Sequence, residues 1–137
     1  MPRNPRSKFG NNKTPYKGIM WDSEGEALYA WTLDQKVKDG SIALWIPKPR
    51  LCILLAATKE DSIFYTPDYW VVPAGLGHRP ADDSYYLDFK GVITPAFRRV
   101  VKMWKLTQPY ILRTVNKKGE FTTWADGVIQ AETEDAA

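Results

Sequence analysis

Ser84-Tyr85-Tyr86-Leu87-Asp88-Phe89-Lys90-Gly91, followed at once by Val92-Ile93-Thr94-Pro95-Ala96-Phe97, passes from a strand into a helix within one short stretch. Residues 84–90 alternate well enough for a strand, and Gly91 closes it. Thr94 then stands where a helix N-cap belongs. Pro95 takes the first helical position, where a missing N–H is one of the orphan donors anyway. Phe97, Val100, Val101, Trp104 and Leu106 give this helix a buried side. Upstream, Ser23 with Glu26 three residues on fits a capping box. Ala27, Leu28, Ala30, Trp31, Leu33 and Val37 supply an apolar face until Asp39-Gly40 stops the helix. Residues 42–46 and 51–56 read as short strands around Pro47-Lys48-Pro49, and a third strand covers Ser62 to Val72, with Pro67 marking an edge or a bulge. Pro73 to Asp83 is a loop. Tyr110 to Val115 is a further strand, turned by Asn116-Lys117-Lys118-Gly119 into a hairpin partner at Glu120 to Trp124. This order predicts an α/β fold, a mixed central sheet flanked by helices.

The chain has 137 residues, room for one domain and a single core. Residues 1–17, rich in Pro, Asn, Lys and Arg, read as a flexible basic arm; 18–125 form the domain, and 126–137 an acidic, disordered tail. No apolar run is long enough to cross a membrane, and the basic N-terminus leads into polar residues, not the core of a secretory signal. Cys52 has no partner for an internal disulfide, and with one His the chain cannot assemble a Cys/His zinc site. A buried Cys52 and a reducing, cytoplasmic compartment are expected. Net charge is only +3, but it is segregated. From Phe89 to Gly119 there is no acid, while Lys90, Arg98, Arg99, Lys102, Lys105, Arg113, Lys117 and Lys118 all fall there. A basic surface beside an acidic pocket suits a polyanion held next to bound cations; a solvated helix face is the plainer account. Lys13, Lys17, Arg98, Arg99, Lys102 and Lys105 are the candidate contacts to such a polyanion. Trp31, Trp45, Trp70 and Trp104 fall at apolar positions and are assigned to the core.

Three carboxylates and a lysine carry the chemistry. Asp68 follows a proline in a strand. Asp88 and Lys90 are two apart on another, so both side chains point to one face. Glu26 lies in the first turns of a helix that must pack on the sheet. Carboxylates that converge repel unless cations sit between them, and hard oxygens favour Mg²⁺ or Mn²⁺. Such ions lower the pKa of bound water and steady an in-line phosphoryl displacement, while a nearby ammonium orients the water. His78, alone in a Gly-rich loop, is assigned to the surface.

Pro67-Asp68, then Asp88-Phe89-Lys90 after a loop, preceded by a helical Glu, resembles the PD-(D/E)XK nuclease superfamily. Trp21-Asp22-Ser23-Glu24-Gly25-Glu26-Ala27, Tyr65-Thr66-Pro67-Asp68-Tyr69 and Asp88 to Arg98 look more narrowly like its small phage proteins, which are similar to Holliday-junction resolvases. The likeness runs from about Tyr16 to Tyr110. It implies a restriction-endonuclease-like core, a divalent metal at Asp68 and Asp88 with Glu26 beside them, and Lys90 near the nucleophilic water. It also implies a homodimer that cuts two strands of a branched DNA. Residues 45–56 depart from any pattern that aligns, the loop between Asp68 and Asp88 is long, and the second acid is Asp where Glu is commoner. Glu24 remains the alternative to Glu26. A sequence-reading or nicking nuclease of the same fold, and a non-catalytic DNA-binding module, are the competing functions.

Overall fold

The computed structural model describes residues 12–75 and 83–130. In chain order its elements are β1 (Thr14–Tyr16), β2 (Ile19–Trp21), α1 (Glu24–Lys38), β3 (Ile42–Pro47), β4 (Leu51–Leu54), β5 (Ile63–Tyr65), β6 (Tyr69–Pro73), β7 (Tyr85–Phe89), α2 (Pro95–Thr107), β8 (Ile111–Val115) and β9 (Phe121–Asp126). Both helices start on the caps their sequences provide. The Ser23 hydroxyl accepts from the Glu26 amide at 3.1 Å and the Thr94 hydroxyl from the Phe97 amide at 3.1 Å, each satisfying an orphan donor of the first turn.

Five strands form one mixed sheet in the order β3-β6-β7-β8-β9. All neighbours are antiparallel except β7 and β8. That parallel pair is the one joined through α2, the kind of crossover a parallel connection requires. The two remaining pairs, β1-β2 and β4-β5, are separate antiparallel hairpins.

Strand alternation divides the sheet's contacts between two cores. Tyr85 and Leu87 of β7 pack with Tyr69, Val71 and Val115 against Ala27, Ala30 and Leu33 of α1, and Trp21 of β2 closes that core. Leu112 and Ala125 pack with Phe97, Val101 and Trp104 of α2 and with Ile53 of β4, and Tyr86 lies against them. The Tyr86 ring meets Trp104 edge-on at 5.4 Å. Helices therefore cover both faces, α1 one and α2 the other, with the β4-β5 hairpin completing the α2 side.

Several expectations change. Residues 14–17 belong to a hairpin, not to a loose arm: Lys17 (φ 50°) and Gly18 (φ 76°) make its turn, and Lys17 pairs with Asp34 at 2.9 Å. Residues 1–11 lie outside the described residues, as do 76–82, with His78, and 131–137. The single strand expected over 62–72 is two. β5 pairs with β4 while β6 enters the main sheet, because Pro67 has no N–H to continue a ladder. The strand expected at 51–56 is likewise the outer hairpin, ending at Leu54. At the other end, Asp126 closes β9, and the Gln130 amide donates to the Lys105 carbonyl at 2.7 Å, so 126–130 are docked on α2. Leu28, Trp31 and Val37 of α1 and Leu106 of α2 are exposed where their spacing predicts a buried face. Trp104 is fully buried, Trp45 and Trp70 are half-buried, and Cys52 is also half-buried. Among the described residues no helix is long and apolar enough to cross a membrane.

Candidate active site

The register of the sheet brings the two aspartates together. Tyr69 pairs with Leu87, so one step further along each strand sets Asp68 opposite Asp88. The strands latch there through side chains. The Asp68 amide donates to Asp88 Oδ1 at 3.0 Å, and the Phe89 amide donates to Asp68 Oδ2 at 2.8 Å. Each carboxylate is thus aimed by the backbone of the strand that carries the other. Pro67, fully buried, ends one hairpin and lets Asp68 open the next strand.

Glu26 arrives from the other side of the sheet. Glu26, Ala30 and Leu33 follow i, i+4, i+7 spacing, so the acid sits in line with core residues and is 9% exposed. Gly25 allows the close approach: a Cβ there would lie 2.5 Å from the Phe89 ring. Tyr69 fixes the turn by donating its hydroxyl to the Glu26 carbonyl at 2.6 Å. The Glu26 carboxylate meets the Ser23 hydroxyl at 3.2 Å and shares a side-chain hydrogen bond with Asp68. Glu24 is exposed, so of the two glutamates the fold brings Glu26 inward.

Three acids so close cannot all ionise freely. Burial, then the charges of Asp88 and Glu26, raise the Asp68 pKa well above the usual carboxylate range. Burial also raises Asp88, against the pull of Lys90 and of the Tyr65 hydroxyl that donates to its Oδ2. Glu26 is raised by burial too, opposed first by its bond from Asp68 and more weakly by Lys48. Burial and mutual repulsion therefore raise the proton affinity of Glu26 and Asp68 together.

Lys90 extends the ladder beyond β7, its amide donating to the Val115 carbonyl at 3.0 Å, and its ammonium lies 5.0 Å from the centre of the Phe97 ring. Phe97 meets Trp124 edge-on at 5.6 Å, and Arg98 lies over Trp124 at 5.6 Å. Arg98, Arg99 and Lys102 are exposed and Lys105 is half-buried, so the basic side of α2 starts beside Lys90. Lys13 is exposed, and Lys17 is committed to Asp34.

Two further residues join the site without a signal in the sequence, Tyr65 and Lys48. Tyr65 lies in the stretch Tyr65-Thr66-Pro67-Asp68-Tyr69, but nothing in strand spacing foretells that its hydroxyl reaches Asp88. Lys48, between two prolines, reads in the sequence only as a break between strands. It stands opposite Asp68 in the sheet, donates its amide to the Asp68 carbonyl at 2.8 Å, and has φ 47°. That left-handed backbone costs a non-glycine residue roughly 1–2 kcal/mol.

No family model, curated protein or solved structure matches the chain.

Among the described residues, no three of His, Cys, Asp and Glu stand in the spread arrangement of a preformed metal site. Glu26 and Asp68 instead turn onto each other through their hydrogen bond. The donor set nonetheless suits a hard divalent cation. It consists of carboxylate oxygens from three parts of the chain, hard donors whose mutual repulsion a cation between them would relieve. Asp68, Asp88 and Glu26 are the residues that would hold it.

Proposed function

We propose that this chain is a divalent-metal-dependent endonuclease of the PD-(D/E)XK type, acting on four-way DNA junctions. The observation that carries the reading is the meeting of Glu26, Asp68 and Asp88 from three separate elements, beside Lys90. A protein built only for stability gains nothing from two buried acids and a half-buried third sharing charge, so the arrangement points to a site. The mixed sheet with a helix on each face is compatible with the restriction-endonuclease-like core that the motifs suggest.

Mg²⁺ or Mn²⁺ held by Asp68, Asp88 and Glu26 would supply Lewis-acid charge to a bound water and to the reacting phosphate. The chain's own part is to hold and to orient. Asp68 and Asp88 are fixed by each other's strands, and Glu26 is fixed by Ser23 and by the approach at Gly25. Lys90 offers an ammonium to the oxygens on which negative charge grows. The basic side of α2 tracks the phosphate backbone and gives affinity without reading sequence, and exposed Lys13 is a further backbone contact. Two cuts at symmetry-related points call for two copies of the site, hence a homodimer, and the place of action is the cytoplasm, that of the host cell if the protein is viral. Leu44 and Ile46 on edge strand β3, with Leu54 and Leu55, leave apolar surface for that contact.

The test incubates a synthetic four-way junction and a matched linear duplex with the protein and Mg²⁺, beside a supercoiled plasmid. Paired cuts in the junction, an intact duplex and a solution mass near twice 15.7 kDa are expected. Nicking of the plasmid by a monomer would favour a nicking nuclease. Binding with no cutting, in either metal, would favour a DNA-binding module.

A further inference from the structure

Lys48 is a charged side chain beside the acidic cluster that has no part in the metal chemistry proposed for Asp68, Asp88, Glu26 and Lys90. Its surroundings are built, not incidental. The backbone takes a left-handed turn at a residue that is not glycine, and its amide is tied to the carbonyl of Asp68 itself. The turn sends the side chain across the β1-β2 hairpin. There the ammonium lies 5.1 Å from the centre of the Trp21 ring and donates to the Met20 carbonyl at 2.7 Å. Its charge also reaches Glu26. An ammonium has three donors. One goes to Met20, which leaves the others to meet an incoming oxygen at the rim of the cluster.

Lys90 reaches the site from β7 and the α2 side, resting on Phe97. Lys48 reaches it from the end of β3 and the α1 side, resting on Trp21. Lys90 acts on Asp88 and Lys48 on Glu26, so the cluster has an ammonium at two of its members, each carried on an aromatic ring. A nucleic-acid strand drawn across Asp68 and Asp88 therefore meets a cation on either side, which suits the repeating charge of a phosphate backbone.

We infer that Lys48 is a substrate-binding residue that grips a backbone phosphate of the strand held at the site, on the side opposite Lys90. This rests on the nuclease reading and adds to it a second phosphate contact and the residue that makes it. Glycine would adopt the left-handed conformation at less cost, so the chain keeps an ammonium at a position where the backbone favours glycine.

Lys48→Gly separates the two roles, because it relieves the backbone while removing the ammonium. Binding to a labelled four-way junction is measured in EDTA at about 50 to 200 mM salt, with cleavage in Mg²⁺ and a thermal melt alongside. Lys48→Gly should melt close to the wild-type temperature, the relieved backbone offsetting the lost contacts to Met20 and Trp21. It should bind about tenfold or more weakly, as expected for losing one hydrogen bond to a charged group. Its plot of log affinity against log salt should flatten by about 0.9, the effect of one released counterion. Lys48→Arg should restore most of the affinity and the slope. Wild-type affinity and slope in Lys48→Gly would overturn the assignment. An unchanged slope with slower cutting would also overturn it, since Lys48 would then act only through Glu26. If Lys48→Gly binds and cuts as wild type does while Asp68→Asn is dead for cutting, the nuclease reading stands and the role of Lys48 falls. If wild type neither binds nor cuts the junction, both fall.

Discussion

The two helices obey different rules. α2 is an orderly amphipath: Phe97, Val101 and Trp104 are buried, and Arg98, Arg99 and Lys102 face out. α1 is not. It buries Glu26 in line with Ala30 and Leu33 and leaves Leu28 and Trp31 in solvent, 64% and 48% exposed. The difference follows from what each helix must deliver. In the proposed reading α2 meets DNA, which wants basic residues outside and apolar ones inside, and stability wants the same. A helix that must deliver a carboxylate to the sheet has to rotate that acid inward, and apolar residues on the opposite side turn outward with it. Where a segment's best local pattern and its observed placement disagree, a functional demand is the first explanation to test.

The largest expected effect bears on the inward-turned acid and its partners. Asp68→Asn and Asp88→Asn should each lower cleavage by about three orders of magnitude, and Lys90→Ala by about two, with junction binding largely kept. Glu26→Gln should fall with the aspartates. If Glu26→Gln cuts at the wild-type rate while Glu24→Gln does not, the contrast between the helices loses its cause. Either aspartate variant cutting near the wild-type rate would remove that residue from the proposed metal ligands.

A second effect has the opposite sign. Asp68 binds its proton more tightly folded than unfolded, because burial and two neighbouring acids disfavour its charge. Folding therefore takes up protons between the two pKa values, and stability declines as pH rises from the ordinary carboxylate range through the raised value. In EDTA, Asp68→Asn should melt a few degrees above wild type at neutral pH, and its stability should vary less over that window. Asn can still accept from the Phe89 amide and donate to Glu26, so no bond need be lost. Adding Mg²⁺ should raise the wild-type melt and leave the variant nearly unmoved. A variant less stable than wild type in EDTA would mean that the acids are not held against their repulsion.

Particular residues explain why some of this is legible in the sequence and some is not. Local signals carry through: Ser23, Thr94, Pro95 and Gly40 mark the helix ends, because a cap is a contact within a few residues. The Asp88–Lys90 pair carries through because strand alternation is fixed by the backbone. Residues 62–72 do not, since the alternation of β5 and β6 is equally good in one strand or two. Only Pro67 hints at the break, and which sheet each half joins depends on residues far along the chain. The turn of Glu26 into the core is visible as chemistry but not as rotation. Leu28 and Trp31 look like the better face, and the choice between them rests on Asp68 and Phe89, which no helical window contains. Tyr65 and Lys48 escape for the same reason, their partners being distant in sequence.

The next effect is moderate and sharpens the description of α2. Replacing Arg98, Arg99 and Lys102 with Gln should weaken junction binding and reduce the salt dependence by up to about 0.9 for each phosphate no longer neutralised, with little change in the melt. Arg98 lies over Trp124, so its replacement alone should cost about 0.5 kcal/mol in stability, the lower end for exposed cation–π contacts. A slope unchanged by the triple variant would return α2 to the status of a solvated basic helix.

The smallest effect is the most direct check on the rotation of α1. Leu33→Ala removes a fully buried side chain and should destabilise by about 2–5 kcal/mol. Trp31→Gln and Leu28→Gln remove larger or equal apolar groups, and on composition alone they would be judged as costly. With both side chains largely in solvent, each should change stability by no more than about 0.5 kcal/mol. Denaturant melts of the three variants decide the matter. If Trp31→Gln costs as much as Leu33→Ala at concentrations where the protein is monomeric, α1 is rotated the other way and Glu26 faces solvent. If the cost appears only at concentrations where a dimer forms, Trp31 is covered by a second copy and the rotation stands. Only the monomeric loss separates an inward Glu26 from an outward one, because the position of Trp31 and that of Glu26 are fixed to each other by the helix itself.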